Sequence, residues 1–179
     1  MKLTHKIVGL AAATALVAGA GLAAVPAATA AAPAKAATGT TLISFDKKLA
    51  PIVAGIVPVA PAKKNKTNLT FPVADVTKNV ITHTGGINLG EVAASNPVIT
   101  ITGTTASITM SIAGLPQAME IFTIKNYKVT VNNKRMMERR GFLHLTTNPL
   151  VVEALNSQLP QPVFVADMGL GQIRTTINK

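Results

Sequence analysis

Ala106-Ser107-Ile108-Thr109-Met110-Ser111-Ile112 is the stretch whose reading decides the fold. Ala106, Ile108, Met110 and Ile112 share one phase, and Ser107, Thr109 and Ser111 share the other. Successive side chains of an extended chain point to opposite faces, so this is a half-buried strand with one wet face. A helix would scatter the same residues around its circumference and build no continuous apolar stripe. Gly114-Leu115-Pro116 follows as a turn.

Similar runs flank it on both sides. Residues 40–45, 56–60, 69–73, 98–102, 142–146, 163–166 and 171–177 read as strands rich in Val, Ile, Leu and Thr. Residues 80–89 form a strand kinked at Gly85-Gly86, and residues 119–131 a long strand bent near Lys125-Asn126. Two short helices interrupt the series. One spans 47–54, with Asp46 as its cap, Gly55 as its stop and Pro51 restricting it to a turn or two. The other runs from Pro149 to about Ser157, capped by Asn148. Residues 61–66 and 132–141 read as basic, solvent-facing loops. The fold class is all-β, a mainly antiparallel β-sandwich or open barrel with two short helices. Hydrophobic residues make up 48% of the chain but aromatics only 3%, so aliphatic side chains must fill the core.

The first 30 residues have another character. Lys2 and Lys6 precede an apolar run from Ile7 to Val25, and Ala28-Thr29-Ala30 fits a small-residue cleavage site. That order and length describe a signal peptide at 1–30, leaving a flexible mature N-terminus at 31–39 and one domain at 40–179, with no membrane span after cleavage. The expected location is secreted, in association with the cell wall. There is no cysteine, which excludes disulfides, thiolate chemistry and a lipid-modified N-terminus. Without the leader, 15 cations and 7 carboxylates give the chain a charge of +8. Such a surface attracts polyanions. Lys63, Lys64 and Lys66 form one cluster, and Lys134, Arg135, Arg139 and Arg140 another. Neither carries the stacking aromatics of a specific nucleic-acid site, so the expected partner is an anionic cell-wall polymer or another envelope protein.

Catalysis needs titrating or attacking groups held together. Asp46, Asp75, Glu91, Glu120, Glu138, Glu153 and Asp167 are scattered, and no zinc-protease, nucleophile-elbow or phosphate-loop motif is present. No catalytic or metal site is expected. His83 shares a strand face with Ile81, Ile87 and Leu89. A histidine on an apolar face requires either hydrogen-bond partners or a ligand. His144 lies on the face of Phe142, between Leu143 and Leu145.

The segments Thr82-His83-Thr84-Gly85-Gly86-Ile87-Asn88-Leu89, Asn96-Pro97-Val98-Ile99, Phe142-Leu143-His144-Leu145-Thr146, Ala154-Leu155-Asn156 and Gly169-Leu170-Gly171 together resemble secreted actinobacterial proteins with an HtaA-like domain, over roughly residues 40–177. The resemblance implies an all-β extracellular domain and, as in the family's best-known members, haem held by a tyrosine and a histidine. His83 stands at the family's His-x-Gly position. The chain's one tyrosine, Tyr127, follows the histidine, where the family's precedes it. His83, Tyr127 and His144 are therefore the candidate ligand-binding residues. The expected function is a secreted, envelope-associated binding or structural module without catalytic activity and without a cofactor. The alternative is an extracellular haem or small-ligand carrier using His83.

Overall fold

The computed structural model describes residues 38–179, so the signal peptide and residues 31–37 lie outside the described residues. The elements in chain order are β1 (Thr38–Phe45), a 3-10 turn (Lys47–Leu49) running into α1 (Ala50–Ala54), β2 (Ile56–Val59), β3 (Lys63–Asn65), β4 (Asn68–Val76), β5 (Val80–His83), β6 (Gly86–Leu89), β7 (Val92–Thr102), β8 (Thr105–Ile112), β9 (Met119–Asn132), β10 (Met136–Leu145), α2 (Pro149–Asn156) and β11 (Gly169–Asn178). Every strand pair is antiparallel. Strands β7-β5-β4-β1-β11-β10-β9-β8 are neighbours in that order, and β8 pairs back onto β7. The result is an eight-stranded antiparallel barrel, as one of the two expected architectures had it, but closed rather than open. Closure removes the exposed edges that a sandwich would have to protect. Strands β6 and β2 extend the sheet from the first half of β7, and β3 adds to β4.

Alternation decides what lies inside. Thr41, Ile43 and Phe45 of β1, Leu69, Phe71 and Val73 of β4, and Ala106, Ile108 and Met110 of β8 are all buried. Two irregularities shape the interior. At Thr84-Gly85 the chain breaks between β5 and β6, with Gly85 at φ +90°. Opposite it, Asn96 (φ +51°) donates its N–H to Gly85 O at 2.8 Å. In β9 the register against β10 shifts between Arg140 and Phe142, and Asn126 adopts φ +54°. This bulge is the expected bend, and it turns the Tyr127 side chain inward. Gly141 faces it so closely that a Cβ there would sit 2.6 Å from Ile124 Cγ2 and 3.0 Å from Lys125 O.

Four local expectations are corrected. Residues 163–166 are not a strand: after α2 the chain is irregular until Gly169. Asn156 organises it instead, accepting from the N–H groups of Val163 (2.9 Å) and Phe164 (2.8 Å) and donating to Phe164 O (2.8 Å). The basic segment 132–141 is mostly strand, because β10 begins at Met136. The segment 61–66 contains β3, which pairs with β4. Asp46 makes no capping hydrogen bond at the first helix, whereas the Asn148 side chain caps α2 by accepting from Leu150 N at 3.0 Å.

Candidate functional site

His83 ends β5 and points into the barrel, where it is 4% exposed. Tyr127, turned inward by the β9 bulge, is 1% exposed. Two threonines join them. Thr41 Oγ1 lies 2.7 Å from His83 Nε2 and 2.9 Å from Thr175 Oγ1, and the Tyr127 hydroxyl lies 2.6 Å from Thr175 Oγ1. His83 Nδ1 is 2.9 Å from Pro97 O.

The direction of this chain follows from one carbonyl. Pro97 O can only accept, so His83 Nδ1 carries a proton and donates it. In the neutral ring Nε2 must then accept, and Thr41 donates to it. Thr41's oxygen accepts from Thr175, and Thr175's oxygen accepts from Tyr127. Four side chains from β9, β11, β1 and β5 thus form one unidirectional series, Tyr127 to Thr175 to Thr41 to His83, ending on a backbone carbonyl. Burial lowers the His83 pKa below 6.5, against a smaller opposing effect of the bond to Pro97. Burial raises the Tyr127 phenol from 10.0 to about 12, outweighing the bond to Thr175 and the charge of Arg139. Both groups are held neutral. Beside His83 the free space is only about 10 Å³.

The structure therefore brings two of the three candidate ligand residues together, in a cluster whose polar atoms satisfy one another. Thr41 and Thr175 were missed from the sequence, although each shares the buried phase of its strand, with Ile43 and Phe45, and with Ile173 and Ile177. His144 stands apart on the outer face of β10, where its Nδ1 meets Asp167 O at 3.0 Å and Asp167 Oδ1 at 3.3 Å. Lys125 Nζ shares that carboxylate at 2.7 Å and, with it, holds the Asp167 pKa below the usual carboxylate range. No group of three or more metal-ligating side chains occurs among the described residues.

The basic clusters are also redistributed. Lys63, Lys66, Lys134, Arg135 and Arg140 are exposed. Lys64 is not a free surface cation: its ammonium donates to the carbonyls of Val53, Ala54 (2.9 Å) and Ile56 at the end of α1. Arg139 is not one either. It occupies the inward phase of β10, its guanidinium carbon lies 5.8 Å from the Tyr127 ring centroid, and its Nε is buried without a partner.

A second feature was not anticipated. Between α1, α2, the β6–β7 ribbon and the barrel end lies a cavity of about 290 Å³. Leu49, Ile87, Met110, Ile121, Phe122 and Phe164 are on its wall, and every other lining side chain is also apolar. Leu115 and Leu150, 49% and 67% exposed, stand at its rim. Sequence patterning cannot show such a space, because its wall is drawn from seven separated segments.

No protein-family profile matches the chain, and no curated protein matches it. Solved structures do. The haem-binding protein HtaB from Corynebacterium glutamicum superposes with a TM-score of 0.57 at 13% identity, over 80% of this chain and 94% of that one. The C-terminal and N-terminal domains of HtaA from the same organism give TM-scores of 0.60 and 0.58 at 10% and 11% identity, each over 80% of this chain and 98% of that one. The chain thus shares the fold of these HtaA and HtaB domains.

Proposed function

We propose that this protein is an exported, non-catalytic binding module whose ligand is a small, predominantly apolar molecule held in the cavity between α1, α2 and the barrel end. The observation that carries this reading is the wall itself: about 290 Å³ with no polar side chain lining it. A protein interior normally closes such a space, since an unfilled apolar void forfeits packing contacts. Its volume is close to the lower end of small-molecule sites.

Haem is the first ligand to weigh, because the likeness to HtaB raises it. An axial ligand from the protein is required, commonly His, Tyr or Cys, or Met opposite His. His83 and Tyr127 do not fit that role: their polar atoms are engaged and the space beside His83 is too small for a macrocycle. The cavity wall offers only the thioethers of Met110 and Met119, with no histidine opposite. These residues do not make a His/Tyr haem site, and an acyl or other apolar chain suits the wall better.

Titration of the purified protein with a fluorescent fatty-acid analogue tests this. Saturable binding is expected, weakened at least tenfold by Ile52→Asp, which sets a charge on the apolar wall. Absence of saturable binding would refute the proposal. A parallel hemin titration separates the rival. A Soret band abolished by His83→Ala in a protein that remains folded would restore the histidine-centred haem reading.

A further inference from the structure

The outer wall of the barrel, away from the cavity, carries a charge arrangement that its own packing does not explain. Arg174 of β11 stands directly opposite Arg140 of β10, and Arg140 stands opposite Lys128 of β9. All three are exposed. Like charges directly across neighbouring strands destabilise a sheet, and here three stand in one row on strands about 4.8 Å apart. One carboxylate serves two of them: Arg140 Nε donates to Glu138 Oε1 at 2.7 Å, and the charge of Arg174 also helps hold the Glu138 pKa down. Arg174 and Lys128 form no ion pair among the described residues. One register step along the same face, Phe142 lies opposite Gln172 and is 51% exposed. Together these side chains line an open groove of about 440 Å³, with Ser44, Asn126 and Thr130 supplying further polar groups.

We propose that this groove binds a phosphate-bearing glycan, with the phosphate on the Arg174–Arg140–Lys128 row and a sugar ring against Phe142. The choice of anion follows from acceptor count. A carboxylate is satisfied by one arginine fork, whereas a phosphate presents enough oxygens to be shared among three cations. The choice of a sugar follows from the surroundings. A lone exposed aromatic gives one stacking face, and the hydroxyl and amide side chains around it match a ligand rich in hydroxyls. Single-stranded nucleic acid would be served by successive aromatic platforms, and this groove has one. The site does not depend on the cavity reading.

The test is affinity electrophoresis or calorimetry with three probes: a phosphomannan, neutral mannan and oligo(dT). Phosphomannan is expected to bind best, with affinity falling as salt rises. Phe142→Ala is expected to weaken it about tenfold while leaving the salt dependence unchanged. Arg174→Gln is expected to weaken it and flatten the salt dependence, while the melting temperature stays level or rises as like-charge repulsion is relieved. Lys78→Gln, in the turn between β4 and β5 and outside the groove lining, is expected to change nothing. The proposal is overturned by no binding to phosphomannan, by binding insensitive to Phe142→Ala and Arg174→Gln, or by an equal loss in Lys78→Gln. Equal or tighter, Phe142-dependent binding of oligo(dT) would assign the groove to nucleic acid instead.

Discussion

His83, Thr41, Thr175 and Tyr127 draw hydrogen bonds from four strands into one directed series, and the direction makes the members unequal. Tyr127→Phe removes the first donor and leaves the rest intact, so a cost of about 1 kcal/mol is expected. Thr175→Val deprives Tyr127 of its acceptor and Thr41 of its donor, with an expected cost of about 3 kcal/mol. Urea melts of the two variants give the comparison, and equal costs would contradict the direction. The same cluster sets a pH response. The unfolded chain protonates His83 below pH 6.5, while the buried ring resists protonation. The unfolded state therefore holds more protons as pH falls from 6.5 toward the lower native pKa. Stability is lost over that window, with a slope approaching about 1.4 kcal/mol per pH unit. Melts between pH 7 and 5 are expected to show this slope, diminished in His83→Gln. Tyr127 is the only tyrosine and the chain has no tryptophan, so tyrosinate absorbance reports it alone. Its ionisation is expected near pH 12, and a midpoint near 10 would place the phenol in water.

At the scale of elements, two irregular points matter more than the regular strands. The β9 bulge turns Tyr127 into the barrel, and Gly141 across from it leaves the necessary space. Gly141→Ala forces a Cβ against Ile124 and the Lys125 carbonyl, so a loss of about 2 kcal/mol is expected in thermal melts. Helix α2 and the irregular segment after it form one side of the cavity, and both depend on asparagines. Asn148 caps the helix and Asn156 ties down residues 163–164. That side of the cavity is thus held by side-chain hydrogen bonds rather than by a sheet ladder, consistent with a region that opens at less cost than the barrel.

At the scale of the molecule, the barrel separates three environments: an interior holding the His83–Tyr127 hydrogen-bonded series beside the Arg139 guanidinium, an apolar end cavity and a cationic outer wall. Each has a different expected response. An apolar ligand at a free concentration of about 100 Kd would stabilise the native state by about 2.7 kcal/mol. A rise of several degrees in melting temperature, absent in Ile52→Asp, would accompany cavity binding. Raising salt would leave that rise intact and weaken the outer-wall interaction, because only exposed charges are effectively screened.

Local chemistry was sufficient for the elements. Alternation over 106–112 places Ala106, Ile108 and Met110 inside whatever the rest of the fold does, because side-chain direction in a strand is set by the backbone itself. The cap at Asn148 and the bend at Asn126 are equally local. The sequence also singled out His83 and Tyr127, but not their relation, since they lie 44 positions apart in the chain. Barrel closure alone joins them through Thr41 and Thr175, turns Arg139 inward while Arg140 faces out, and leaves the cavity among seven distant segments. Which side chains meet depends on which strands become neighbours, and that is decided by burial of the whole apolar surface rather than by any single stretch of chain.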